Sequence, residues 1–195
     1  MTRLSIRLQW TLLGFIVAVI TAGTWLGTAR PTVRRVTVGD TAPSFPHLRG
    51  VNAASKEASD PNLGTGPRVI VVWASWCPAC RAEMPSLQRL FQQFGPMGLR
   101  MTAVSVDPPS GVTAVWQIVR EAGITFDVVL DPSGLVGRSY GVGPIPQAFF
   151  VSRDGIIQER LVGERSWTDP ALIGRVRALV GPTAPPISGG RVVAH

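Results

Sequence analysis

Residues 69–90 read Val-Ile-Val-Val-Trp-Ala-Ser-Trp-Cys-Pro-Ala-Cys-Arg-Ala-Glu-Met-Pro-Ser-Leu-Gln-Arg-Leu, and no other stretch of the chain restricts its fold so tightly. Residues 69–73 form a short apolar, β-branched run, the pattern of a strand buried on both faces. Residues 74–76 make a turn. From Cys77 onward Met84, Leu87, Leu90 and Phe91 recur at helical spacing. The two cysteines of the chain, Cys77 and Cys80, therefore sit where a buried strand hands over to a helix. Free N–H groups and the positive dipole end at a helix N-terminus favour a thiolate over a thiol. The thiolate is the reactive form, which makes Cys77 the expected nucleophile. Cys80 lies one turn on, within reach for a disulfide and placed to act as the resolving thiol.

Other uses of a cysteine pair fit less well. A closed zinc site takes four ligands, and the only histidines available are His47 and His195. Haem attachment calls for histidine after the second cysteine, where this chain has Arg81. A purely structural disulfide over so small a loop would constrain little of the unfolded chain. No metal ligand set and no cofactor beyond the dithiol itself are expected.

The net charge of +7 suggests nucleic acid until the charges are located. Arg3, Arg7, Arg30, Arg34 and Arg35 crowd the first 35 residues without one acid among them, and Arg191 lies in the tail. Elsewhere the charges nearly cancel, and no basic stripe with interleaved aromatics appears, so no nucleic-acid partner is expected. The arginines instead flank residues 8–29, an uncharged stretch of 22 residues rich in Leu, Ile, Val and Ala. About 20 such residues span a bilayer as a helix, and Trp10 and Trp25 lie where interfacial aromatics belong. A cleaved signal peptide is the rival, with Gly27-Thr28-Ala29 as its small-residue site. The expected organisation is a cytoplasmic segment over 1–7, an anchor or signal peptide over 8–29, a linker over 30–38, one globular domain over 39–181 and a disordered tail over 182–195.

Within the domain, Gly39-Asp40-Thr41-Ala42-Pro43-Ser44-Phe45 reads as a turn plus an edge strand, and the polar residues 51–67 as loop. The helix that follows Cys77 ends near Phe94-Gly95-Pro96. A strand follows over 99–106, stopped by Asp107-Pro108-Pro109, then a helix over 112–122, in which Trp116 belongs to the core. A strand over 126–130 and a short helix over 135–140 come next. Residues 147–151 and 156–162 make strands joined by a Ser152-Arg153-Asp154-Gly155 hairpin turn, and 170–180 is the closing helix. Alternating strands and helices closed by a hairpin and a helix give an α/β fold with a mixed sheet flanked by helices.

The run Trp73-Ala74-Ser75-Trp76-Cys77-Pro78-Ala79-Cys80-Arg81, with Glu83-Met84-Pro85 and Leu87, resembles the active site of the thioredoxin superfamily. It looks most like the membrane-anchored, extracytoplasmic branch related to TlpA, ResA and the cytochrome c maturation thioredoxins. Pro85 matches the proline of that helix, and Glu83 with Pro85 is typical of the branch. The segment from Gly39 to Phe45 resembles an entry shared by TlpA-like proteins and peroxiredoxins. Tyr140-Gly141-Val142-Gly143-Pro144-Ile145-Pro146, followed by Phe149-Phe150, resembles the superfamily's cis-proline segment, which implies a cis bond before Pro146. Pro144 is an ordinary turn proline. The resemblance implies that Trp76, Pro78, Ile145 and Pro146 meet the substrate, with the Ile145 backbone pairing with its main chain. Pro78 also removes one N–H donor near the sulfurs. One departure stands out: the buried acid that thioredoxins carry six residues before the first cysteine is Val71 here. Glu83 is the candidate replacement as proton acceptor or donor for Cys80.

The resemblance implies a thiol–disulfide oxidoreductase of the inner membrane, single-pass, with its domain facing the periplasm. Its clients would be disulfide-containing proteins such as apocytochrome c, and its electrons would come from a membrane thiol transporter. Three other readings stay open: an oxidant or isomerase running the same chemistry in reverse, a peroxiredoxin-like peroxidase, and a copper-binding dithiol. Against the peroxidase, no Pro-x-x-x-Thr-x-x-Cys pattern leads into Cys77.

Overall fold

The computed structural model describes residues 6–27, 36–44, 48, 50–52, 58–59 and 66–181. The chain divides into two units, Met1–Val33 and Arg34–His195. The first contains one helix, α1 (Ile6–Gly27). Counting only residues whose side chains are described, no helix is long and apolar enough to cross a membrane; in α1 those residues are 10–19 and 21. The tail over 182–195 and most of the 30–38 linker lie outside the described residues.

The second unit holds, in order, β1 (Gly50–Asn52), β2 (Ala58–Ser59), β3 (Arg68–Trp73), α2 (Pro78–Phe94), β4 (Arg100–Ser105), α3 (Val112–Glu121), β5 (Asp127–Leu130), α4 (Leu135–Ser139), β6 (Gln147–Val151), β7 (Ile157–Val162) and α5 (Pro170–Val180). The strands form one mixed sheet in the order β2-β1-β5-β4-β3-β6-β7. β3 pairs parallel with β4, and β4 with β5, while β6 runs antiparallel to β3 and β7. Parallel pairing requires a crossover. The helical periodicity after Cys77 supplies α2 for the first crossover, and that after Val112 supplies α3 for the second.

β3 is the centre. Val69, Val71 and Trp73 point into one core with Leu87 and Leu90 of α2, Val115 of α3 and Val176 of α5. Ile70 and Val72 point into the other, with Val104, Val129, Phe149 and Tyr140. Burial on both faces is why this strand is apolar throughout rather than alternating.

Two expectations change. Residues 51–67 are not all loop, because β1 and β2 pair there and β1 also adds antiparallel to β5. Strands of three and two residues are too short to carry a period. The entry segment makes no continuous edge strand among its described residues, only a bridge between Thr41 and Ile156. It is stitched down by Gly39 N–H to the Ile157 carbonyl, 2.8 Å, and Ala42 N–H to the Gly155 carbonyl, 2.8 Å. Tyr140 Oη donates to the Pro43 carbonyl at 2.7 Å. Pro43 has no N–H with which to extend a ladder, and Phe45 lies outside the described residues.

Candidate active site

Cys77 caps α2. Its backbone is extended, and its Sγ accepts the Cys80 N–H at 3.2 Å. Pro78 occupies the first helical turn, where a missing N–H costs nothing. Cys77 and Cys80 are joined in a disulfide with Cα atoms 5.3 Å apart. Cys77 is 6% exposed and Cys80 1%, so the first sulfur is the one nearer solvent. Beside it Trp76 is 63% exposed, a large apolar side chain left at the surface.

The Ile145–Pro146 peptide bond is cis. The Ile145 carbonyl oxygen lies 3.9 Å from Cys77 Sγ, so strand β6 brings the 141–146 loop against the disulfide across 68 residues of sequence. The carbonyls around Ile145 are occupied: Pro144 accepts from Gln147 Nε2 at 2.8 Å, and Pro146 from the Gly163 N–H at 2.9 Å. Among the described residues no hydrogen bond reaches the Ile145 N–H. An extended main chain laid beside Cys77 would find that donor and the Ile145 carbonyl open.

Glu83 lies in α2, one turn past Cys80, and is 3% exposed. Its Oε1 accepts the Arg165 N–H and its Oε2 accepts Trp167 Nε1–H, the latter at 3.2 Å. Both donors come from the connection between β7 and α5. Burial raises the Glu83 pKa above the ordinary 4.5, and the two hydrogen bonds oppose that rise. Val71, at the position of the missing acid, is packed in the same core cluster as Cys80.

Sequence reasoning passed over three further groups. Asp107, read there only as a strand stop, is buried and accepts from Ser75 N–H at 2.8 Å, Ser75 Oγ at 2.6 Å and Ser105 Oγ at 2.8 Å. It fixes the turn that delivers Cys77. Gln147 and Arg160 hold the 141–146 loop. Trp167 and Arg165 hold Glu83. The pairings of Asp107 with Ser75, Gln147 with Arg160, and Trp167 and Arg165 with Glu83 join residues far apart in the chain, and a single sequence carries no signal of them.

A mixed sheet with a disulfide-bonded Cys-x-x-Cys at a helix N-terminus, facing a cis-proline loop, defines a thioredoxin-fold protein. The chain belongs to the AhpC/TSA family, whose model matches residues 38–160. It is similar to the thiol-disulfide oxidoreductase ResA of Oceanobacillus iheyensis, 36% identical over 129 residues, 65% of each chain. It is also similar to the ResA of Geobacillus thermodenitrificans, 31% identical over 134 residues, 69% of this chain and 74% of that one. The match thus covers just under two thirds of the Oceanobacillus protein, and 53% of the ResA of Bacillus anthracis. Among solved structures, a thiol:disulfide interchange protein DsbE from Chlorobium tepidum superposes with a TM-score of 0.63 at 26% identity, over 75% of this chain and 99% of that one.

Proposed function

We propose that the protein is a membrane-tethered thiol–disulfide oxidoreductase that reduces disulfides in extracytoplasmic client proteins, apocytochrome c among them. The observation that carries this reading is the Cys77–Cys80 disulfide, capping α2 and lying 3.9 Å from the open Ile145 carbonyl. That geometry comes in a chain whose relatives are named thiol-disulfide oxidoreductases.

In the reduced protein, the Cys80 N–H and the α2 N-terminus favour a thiolate at Cys77. That thiolate attacks one sulfur of a client disulfide. The client S–S bond breaks, and its second sulfur leaves with the electron pair and takes up a proton. Cys80 then loses its proton and attacks Cys77 Sγ, expelling the first client sulfur. The client leaves as a dithiol and the protein as the Cys77–Cys80 disulfide. Ile145 pairs with the client main chain during the attack, with Pro146, Pro78 and Trp76 lining the contact. Glu83, buried with its pKa raised and three residues from Cys80, takes the Cys80 proton. A membrane thiol transporter returns the two electrons.

The anchor in this reading is α1. A helix of 22 residues is about 33 Å long, enough for a hydrocarbon core of about 30 Å. Its Trp10, Leu12, Leu13, Phe15, Ile16, Val17 and Val19 are all at least half exposed. Thr21 Oγ1 returns its hydrogen bond to the Val17 and Ala18 carbonyls, which suits a helix surrounded by lipid. The domain would then lie on the periplasmic side of the inner membrane.

The test is a redox titration of the purified chain against glutathione buffers. A reductant requires a potential well below that of the disulfide-forming enzymes. A value of about −180 mV or higher would make the protein an oxidant or isomerase instead.

A further inference from the structure

Arg160 and Gln147 form a clamp on the loop that faces the disulfide. Arg160 lies in β7 opposite Phe149, next to β6, and its guanidinium carbon stands 5.5 Å from the centre of the Phe149 ring. Its Nη2 donates to the Gly141 carbonyl at 2.9 Å and to Gln147 Oε1 at 2.8 Å; its Nε donates to the same Oε1 at 3.2 Å. The other end of the same amide, Gln147 Nε2, donates to the Pro144 carbonyl at 2.8 Å. Gln147 is 2% exposed, so these bonds have little competition from water.

One side-chain pair therefore ties both ends of the segment preceding Ile145. Gly141 is held by Arg160 and Pro144 by Gln147, and between Pro144 and Pro146 only the Ile145 main chain remains open. Gly141 has φ +60° and Gly143 carries no side chain, so residues 141–143 have little stiffness of their own beyond the Val142 N–H bond to the Gly137 carbonyl at 2.7 Å. A loop of this kind binds an extended partner well only if something outside it fixes its shape beforehand.

We propose that Arg160 and Gln147 are positioning residues for polypeptide clients: they preorganise the Ile145 main chain, and so set reactivity toward peptide disulfides without setting the reactivity of Cys77 itself. The inference rests on the reading above that Ile145 pairs with client backbone. Only a partner with a main chain uses that loop. A small aromatic disulfide needs the Cys77 sulfur alone.

The chemistry selects the variants. Arg160→Lys keeps the charge but cannot offer a planar fork to Gln147 and Gly141 together. Gln147→Glu keeps an acceptor for Arg160 but removes the donor to Pro144 and sets a carboxylate against that carbonyl. The full chain is first reduced. Its oxidation is then followed with 5,5′-dithiobis(2-nitrobenzoate) and, separately, with a synthetic peptide closed by an internal disulfide. Circular dichroism confirms that each variant is folded. Both variants should lose about tenfold in the second-order rate constant for oxidation by the peptide, carried by the peptide concentration needed for half-saturation, because the loop must now be ordered during binding. Their rates with the aromatic disulfide should stay within about twofold of wild type. Equal losses on both substrates, or no loss on either, would overturn the proposal. If the wild type itself reduces the aromatic disulfide but not the peptide, main-chain pairing at Ile145 fails and the clamp fails with it. If the wild type handles both and the variants match it, only the clamp fails.

Discussion

Asp107 and Glu83 are two buried carboxylates, and their surroundings give them different work. Asp107 accepts three hydrogen bonds, two of them from Ser75, in the turn between β3 and Cys77. Removing it strands buried donors, each of which costs about 1–3 kcal/mol. Asp107→Ala should therefore destabilise the fold by about 3 kcal/mol in urea denaturation, and reaction of Cys77 with a small disulfide should slow as the turn loosens. An unchanged denaturation midpoint would contradict this. Glu83 accepts two bonds and has a raised pKa caused first by burial. The folded chain thus holds the Glu83 proton more tightly than the unfolded chain does. That contribution to stability is complete below the unfolded value near 4.5 and is lost as pH rises through the higher folded value. Glu83→Gln does not titrate. Its stability relative to wild type should rise as pH climbs above the unfolded value near 4.5 and level off once pH has passed the higher folded value, and the pH profile of thiol exchange should shift with it. A constant difference across that range would place the ionisation of Glu83 outside the folding equilibrium.

At the scale of elements, much was legible in residues 69–90. An apolar run, a turn and a helical period place β3, the Cys77 cap and α2 within a residue of where they lie, because each is specified locally. The cis-proline segment was also readable, through its resemblance rather than through any period. β1 and β2 were not readable, since pairing with β5 rather than their own residues makes them strands. The same limit hid the bonds of Asp107 to Ser75, Gln147 to Arg160 and Trp167 to Glu83, which join residues 32, 13 and 84 positions apart. The Pro109–Gly111 turn shows how an element with no chemistry of its own supports the site. A Cβ at Gly111 would stand 2.8 Å from Asp107 Oδ1, closer than packing permits. The φ there is −88°, so the backbone would accept alanine and only the contact forbids it. Gly111→Ala should therefore push the carboxylate off Ser75 and reproduce, more weakly, the slowed Cys77 reaction of Asp107→Ala. Wild-type kinetics in a folded Gly111→Ala chain would show that the carboxylate can move without loosening the turn.

In the whole molecule an apolar N-terminal helix precedes a thioredoxin-fold domain, and the dithiol chemistry proposed for that domain suits an oxidising compartment. If the domain lies outside the cytoplasmic membrane, as the proposed function requires, an impermeant thiol reagent applied to intact cells after mild reduction should label Cys77. Labelling only after lysis would place it inside. The central claim is that Cys77 attacks and Cys80 resolves. Cys80→Ser in the full chain keeps the attack and removes the resolution, so incubation with a disulfide-closed peptide should accumulate a mixed disulfide, located by mass spectrometry on Cys77. Cys77→Ser should yield no adduct. An adduct through Cys80 in the Cys77→Ser chain, or full turnover by Cys80→Ser, would contradict the account.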